Sequence, residues 1–335
     1  MDRARLSQLL KNCESKRVLV IGDLILDEFV WGQVRRISPE APVPVVEVNR
    51  ESYFPGGAAN VARNLREFAT DVRVMGRIGK DMHADQLKRL LREEKINLDC
   101  VQEDAAYHTI VKTRIIAMHQ QVVRVDREKK TGLTPEQTET LLRQLESILP
   151  QLDGVIIEDY AKGLLQQSLV DRMVSLIRKA DKIVTVDPNP HNKIAWASIT
   201  AITPNRSEAF AAAGKPWTEP VDPVLNDTQL LDVGATLLQK WDVGNLLITL
   251  GEQGMMLFRS GTRPFHIPTR AREVFDVSGA GDTAIALFTL ALCGGATSEE
   301  AADISNHASG VVVGKLGTAT LTPAELLASF ENTGT

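Results

Sequence analysis

The chain has 335 residues, of which 43% are hydrophobic and 24% charged, with a formal net charge of -5 and a pI near 5.8. This is the composition of a soluble globular protein with enough chain for one large α/β domain or two smaller ones, and it offers no basic field to collect nucleic acid. The cysteines Cys13, Cys100 and Cys293 form no CxxC pair, the six histidines are scattered, and no run reaches the roughly 18 apolar residues of a spanning helix. A disulfide framework, a zinc site and a membrane span are thereby excluded.

In chain order, Leu6, Leu9 and Leu10 at helical spacing predict a short surface helix, and the start lacks the apolar core of a signal peptide, which predicts a cytoplasmic protein. Short β-rich runs then recur at Arg17 to Ile21, Val72 to Met75, Val155 to Ile157, Ile183 to Val186, Ile199 to Ile202 and Leu246 to Leu250. Between them lie helical patterns such as Leu87, Leu90, Leu91 and Leu141, Leu142, Leu145, Ile148, Leu149. The alternation predicts an α/β fold whose mostly parallel sheet carries helices on both faces. Two segments break the rhythm, at about 28–48 and 109–125. Pro39, Pro42 and Pro44 forbid a helix in the first and confine any strand to an edge or a bulge. The second reads as two strands turning around His119-Gln120-Gln121. Strands standing off the main sheet expose apolar surface unless they cover a ligand or a second copy, so they are expected to form a lid that also makes a homodimer.

Near the C-terminus, Asp276-Val277-Ser278-Gly279-Ala280-Gly281-Asp282-Thr283 precedes an apolar helix expected to begin near Thr283 and to be buried through Cys293. Small residues at 279–281 let successive N–H groups converge, and the helix dipole adds positive potential, so an anion is held without a cationic side chain. A carboxylate beside a resting phosphate is repulsive. Asp282 makes sense there as a general base for an incoming hydroxyl, with the N–H groups of Gly279, Ala280 and Gly281 holding the transferring oxygens. Two other readings of the segment stand beside this one. Gly before a helix with Asp in its first turn is also ordinary capping. The spacing Gly279-x-Gly281-x-x-Ala284 loosely fits a dinucleotide fingerprint, but the acids that follow, Glu299, Glu300 and Asp303, fall in the next helix and not at a strand end. Gly310 to Lys315 has the wrong spacing for a Walker A loop and reads as a packed helix end.

With Gly56-Gly57-Ala58-Ala59-Asn60-Val61-Ala62, Gly22-Asp23, Thr203-Pro204-Asn205-x-x-Glu208, Thr249-x-Gly251-x-x-Gly254 and the small-residue helix around Asn306, the octapeptide resembles the ribokinase-like, or PfkB, carbohydrate kinases almost end to end. The resemblance implies a ribokinase-like three-layer α/β sandwich, one kinase domain over 1–335 with a small β-strand lid, and ATP as phosphoryl donor with Mg2+. Within the family, the runs Arg36 to Val45, Glu158 to Gly163 and Val313 to Thr318 resemble the heptose 7-phosphate kinases. That implies phosphorylation of D-glycero-beta-D-manno-heptose 7-phosphate at its anomeric hydroxyl, on the way to ADP-heptose and lipopolysaccharide. Asp187-Pro188-Asn189-Pro190-His191-Asn192 departs from the Asp-Pro-Lys expected of closer relatives, which keeps another sugar or sugar phosphate open. No nucleotidyltransferase domain, fused to the kinase in some members, is expected.

The family pattern implies that Asp23, Gly57 and Asn60 bind sugar hydroxyls, assisted by Asp27, with Gly56 and Glu158 on the same side. Taken alone, Asn60 also has a reading as a helix N-terminal cap, because Gly56-Gly57 reads as an ordinary turn before a helix. The substrate's own phosphate needs a cation, for which Lys162, Lys112 and Arg124 are the candidates. Asn205 and Glu208 resemble the family's Asn-x-x-Glu pair, which serves magnesium through water and the ATP phosphates, while Thr249, Gly251, Gly254 and Asn306 are expected around the nucleotide. Asp276, Ser278 and Gly317 resemble the family's monovalent-cation site, implying K+.

Overall fold

Val- and Ile-rich runs buried on both faces, such as Val18–Ile21 and Val155–Ile157, form the middle of a nine-stranded sheet. The structure, a computed structural model, describes residues 1–118, 120–271, 274–315 and 317–331. The elements run α1 (Arg3–Glu14), β1 (Arg17–Gly22), β2 (Leu24–Ile37), β3 (Pro44–Gly57), α2 (Ala58–Arg66), β4 (Asp71–Gly79), α3 (Met82–Glu93) and β5 (Asn97–Asp104). They continue with β6 (Ile110–Ala117), β7 (Gln120–Arg127), α4 (Pro135–Ile148), β8 (Gly154–Glu158), α5 (Gln167–Lys179), β9 (Ile183–Asp187), β10 (Ile199–Ile202) and α6 (Arg206–Ala213). Then come α7 (Thr228–Trp241), β11 (Val243–Thr249), β12 (Met255–Phe258), β13 (Phe265–Ile267), α8 (Ala280–Cys293), α9 (Ser298–Val312) and α10 (Pro323–Glu331).

The main sheet has the order β13-β12-β11-β10-β9-β8-β1-β4-β5, parallel from β11 to β5 and antiparallel at β12 and β13. From β1 the chain builds first toward β4 and β5, then returns to add β8 on the other side, so the winding reverses between β1 and β8. Ligands of open α/β sheets bind beyond the carboxyl ends of the strands at such a reversal. One apolar core lies between the sheet and α1, α2, α8 and α9; a second lies under α4, α5, α6 and α7. This is the expected three-layer sandwich. The N-terminal helix differs from expectation, because Leu6 and Leu9 are fully buried and α1 packs on α8 and α10. Three leucines on one stripe were enough to dock it.

The lid is a separate four-stranded sheet of order β3-β2-β6-β7. It is longer than expected: β2 follows β1 after the single residue Asp23, and β3 runs to Gly57, where it hands the chain to α2. Pro44 opens the edge strand β3, a position where proline is tolerated, and bulges at Trp31/Gly32 and Val34/Arg36 bend the pair. β6 pairs β2 in parallel and β7 antiparallel, while His119 at their turn lies outside the described residues.

Candidate active site

Three strands end in register. Gly22 of β1 pairs Glu158 of β8, which pairs Asp187 of β9. A Cβ at position 22 would lie 2.3 Å from the Glu158 carbonyl oxygen, so glycine is what allows the two strand ends to meet there. Carboxylate oxygens of Glu158, Asp187 and Asp282 lie within 4.8 Å of one another. They share a cleft of about 210 Å³ with Thr203, Asn205, Glu208 and Thr249. Glu158 is 1% exposed and its Oε2 has no partner. Burial first, and then the neighbouring acids Asp187 and Asp282, push its carboxyl well above the ordinary range. Burial together with Glu208 and Asp282 does the same to Asp187. A pocket that makes several carboxylates costly to ionise favours a cation among them. Glu158, expected among the sugar-binding residues, therefore stands in the carboxylate cluster.

Helix α8 starts at Ala280, three residues before the expected Thr283, with Gly279 as its cap at φ +81°. A Cβ at 279 would sit 2.9 Å from Asn60 Nδ2. Asp282 thus falls in the first turn, 6% exposed. Asn60 Nδ2 donates to its Oδ2 at 2.6 Å and the Tyr160 hydroxyl donates to its Oδ1 at 2.9 Å. Burial raises the Asp282 carboxyl to about 6; the bonds from Asn60 and Tyr160 oppose the rise, Asp27 adds to it and Lys112 opposes it. Asn60 is not a cap: it lies inside α2, and its amide serves the carboxylate. One expected donor is displaced, since the Ala280 N–H bonds the Val277 carbonyl at 3.2 Å. Gly281 and Asp282 follow it in the first helical turn, where N–H groups lack intrahelical partners. A Cβ at 281 would point toward Asp187 Oδ2, 3.8 Å away, and so into the acidic cleft.

On the other side of Asp282 lies the lid. Asp27 pairs Lys112 across β2 and β6, and Phe29 pairs Arg114. Arg114 Nη1 bonds Asp27 Oδ1 at 2.5 Å, and its guanidinium lies over Phe29. The Lys112 ammonium stands 5.1 Å from the centre of the Tyr160 ring. Burial pulls its pKa down; Asp27 opposes this, while Lys162, Arg114 and Arg124 reinforce it. Gly56 is needed beside this group, because a Cβ there would meet Asp27 Oδ2 at 2.2 Å. Arg124 lies opposite Arg114 but is exposed and held by Asp126 at 2.8 Å, and the Lys162 ammonium pairs Glu128 at 2.6 Å. Both expected cations are thus partly neutralised by the protein. Asp23, expected at the sugar, accepts the backbone N–H groups of Lys162 and Leu164 on its oxygens at 3.0 and 3.4 Å, which anchors the loop after β8. Gly57, at φ +59°, turns β3 into α2 directly behind it.

A second cleft of about 490 Å³ runs from Thr249, Gly251 and Gly254 past Gly281 to Asn306, with apolar walls from Val274, Val277 and Val313. Its shape and polarity suit a nucleotide base. Gly254, at φ +87°, has no room for a side chain, because a Cβ would lie 2.1 Å from the Ile267 carbonyl oxygen. Asn306 spends its amide on the Pro268 carbonyl at 2.7 Å, so it shapes the wall. Asn205 and Glu208 form a capping box on α6, at 3.0 and 2.8 Å, while Glu208 also faces the carboxylate cleft. Capping and site roles coincide in this pair. Asp276 accepts the N–H groups of Ser278 at 2.9 Å and Gly317 at 3.2 Å, so these three expected residues do converge; the adjoining Leu316 lies outside the described residues.

Sequence reasoning missed Tyr160 and Arg114, and gave Asp187 no role. The strand-end register could have found Asp187, since Ile183–Val186 was already read as a strand. Nothing in the sequence pairs β2 with β6, which is what brings Arg114 to Asp27.

The arrangement of a large, mostly parallel sheet with a smaller sheet beside it is that of the ribokinase-like fold. Arabidopsis thaliana ribokinase complexed with ribose and ATP superposes with a TM-score of 0.72 at 19% identity, over 95% of this chain and 99% of that one. Phosphofructokinase-2 from Escherichia coli, in complex with substrates and products, gives 0.75 at 17% identity, over 96% and 100%. The sequence matches the pfkB family carbohydrate kinase profile over residues 15–325, and the chain belongs to that family: it is an ATP-dependent sugar kinase. Among curated relatives, the Bifunctional protein HldE of Desulfatibacillum aliphaticivorans is 41% identical over 318 residues, covering 95% of this chain. The chain spans 64% of the length of that relative. Among the described residues no helix is long and apolar enough to cross a membrane.

Proposed function

We propose that the protein transfers the γ-phosphoryl group of ATP to the anomeric hydroxyl of a sugar phosphate, D-glycero-beta-D-manno-heptose 7-phosphate. The observation that carries this reading is the group of four basic side chains, Lys112, Arg114, Arg124 and Lys162, gathered on the lid side of Asp282. Arg114, Arg124 and Lys162 are paired with Asp27, Asp126 and Glu128, and a doubly charged phosphate competes for such cations far better than a neutral hydroxyl does. A phosphate at the end of the substrate remote from the reacting hydroxyl suits the cluster. The identity shared with proteins named HldE supports a heptose as the sugar. Asn189, in the acidic cleft where closer relatives are expected to carry a lysine, favours a second reading in which another sugar phosphate is the acceptor.

In the proposed reaction Asp282 accepts the proton of the acceptor hydroxyl as the new O–P bond forms and ADP leaves. The first-turn N–H groups of α8 receive charge from the transferring oxygens. Glu158 and Asp187, with Glu208 acting through water, would hold Mg2+; the unpartnered Oε2 of Glu158 and the purely oxygen donor set fit that ion. When bound, it neutralises phosphate charge. Asp276, Ser278 and Gly317 are proposed for K+. ATP as donor points to the cytoplasm. The lid's outward face, where Val123 and Val125 are 45% and 42% exposed beside Ile115, is proposed to meet the lid of a second copy.

Incubation with ATP, Mg2+ and a panel of sugar phosphates, followed by NMR of the product, tests the reading. A 1,7-bisphosphate of the heptose is expected. Turnover of unphosphorylated sugars at equal kcat/KM would overturn the role given to the basic cluster.

A further inference from the structure

Tyr160 leaves β8 two residues after Glu158 and stands between the lid and the base. Its ring packs against the cluster of Ile25 of β2, Ile110 of β6 and Tyr107 just before β6, with the Lys112 ammonium 5.1 Å from its centre. Its hydroxyl reaches Asp282 Oδ1 at 2.9 Å, opposite the Asn60 amide on Oδ2 at 2.6 Å. A carboxylate held through one oxygen turns freely, because its terminal torsion is broad. Donors on both oxygens fix its plane, and each oxygen keeps a lone pair for an incoming hydroxyl.

We propose that Tyr160 is a positioning residue that couples the lid to the base: lid side chains hold its ring, and its hydroxyl, with Asn60, sets the plane of the Asp282 carboxylate. The inference rests on the reading of Asp282 as general base. Tyr160 keeps its proton throughout, since the proton of the sugar hydroxyl goes to Asp282, the O–P bond to the acceptor forms, and the bond to the β–γ bridging oxygen breaks. Moving Ile25 and Ile110 of the lid away from Tyr160 would release the ring and with it the carboxylate. Substrate closure would thus align the base at the moment the acceptor arrives.

The test uses the full chain with ATP, Mg2+ and its best sugar phosphate. Tyr160→Phe keeps the ring and removes the hydroxyl; kcat should fall about tenfold to a hundredfold, with both KM values within about threefold of wild type. Ile110→Ala should lower kcat by a smaller factor in the same sense. Each change should have no further effect in an Asp282→Asn background, because the group they align is gone. Wild-type kcat in Tyr160→Phe, while Asp282→Asn is impaired, would overturn the inference alone. A loss that persists undiminished in the Asp282→Asn background would overturn it too, as a general packing effect. Full activity of Asp282→Asn would instead remove the base reading, and the inference with it.

Discussion

The acidic cleft and the lid meet at Asp282, yet they are built by opposite means. In the cleft, main chain decides everything: Gly22, Glu158 and Asp187 are set by strand register, and Asp282 by the first turn of α8. Glu158 and Asp282 are buried there, while Asp187 and Glu208 are half-buried. In the lid, the proposed grip on a sugar phosphate rests on long cations projecting from a small sheet whose outer strand β7 is exposed throughout. A backbone-built site tolerates little change and suits chemistry that stays the same for any sugar. A side-chain-built surface can be altered residue by residue, and suits choosing among sugars. The comparison teaches that substitutions in the cleft should appear in kcat and those in the lid in KM.

The sharpest way to break that division is Asp282→Asn. It keeps the shape and, as an amide, can still meet Tyr160, but it cannot take a proton. A drop in kcat of at least about a hundredfold is expected, with ATP affinity by calorimetry within a few-fold of wild type. An equal loss of ATP affinity would mean that the cleft binds and does not select the transition state. On the lid, Arg114→Ala and Lys112→Ala should each raise the KM for a sugar phosphate about tenfold to a hundredfold, with kcat changed less, as removal of one charged hydrogen-bond partner predicts. Removing Arg114 also strips Asp27 of its partner, so Arg114→Lys should rescue only in part. Turnover of an unphosphorylated sugar should be insensitive to both.

Part of the cleft, Asp282 with Asn205 and Glu208, is legible in the sequence, and the reason is local. A helix N-terminus declares itself through Gly279, Gly281 and the apolar run behind them, and strands buried on both faces show as unbroken Val/Ile runs. Asn60 was found through its motif, but its bond to Asp282 crosses 222 residues of sequence separation, which no periodicity reports. The lid was legible as extra strands because prolines excluded a helix. Its parallel β2–β6 pair was not, since long-range pairing leaves no mark on either strand, and so Arg114 was overlooked in favour of Arg124 on the exposed β7. The short N-terminal stripe of leucines was misjudged as surface for a related reason: α8 and α10, which cover it, lie at the far end of the chain.

A milder probe of the same boundary is Gly279→Ala. The residue sits at φ +81°, which costs an alanine about 1–2 kcal/mol, and the new methyl lies 2.9 Å from Asn60 Nδ2. Asn60 must then yield its bond to Asp282. A fall in kcat of about tenfold is expected together with a lower Tm, while KM for the sugar phosphate should hold. If KM rose and kcat did not, Asn60 would be serving the sugar directly and not through the base.

The smallest effect reads the lid from inside the cleft. The proposed base, Asp282, can accept a proton only when ionised, and its carboxyl is held at about 6, so kcat/KM should be full at higher pH and lost as pH falls through that value. A bound cation beside Glu158 and Asp187 favours the carboxylate and moves this acid limb lower still. Four charges face Asp282 from packed elements: Glu158 and Asp187 at the strand ends, and Asp27 and Lys112 on the lid. Lys112 alone of these favours ionisation. Lys112→Met, which preserves the stem and removes the charge, should therefore shift the acid limb upward, by less than about one pH unit given the distance and partial solvation of the pair. Arg124→Met, farther out and neutralised by Asp126, should leave the limb in place. An acid limb that ignored Lys112 would separate lid from base electrostatically and confine the lid to gripping the substrate.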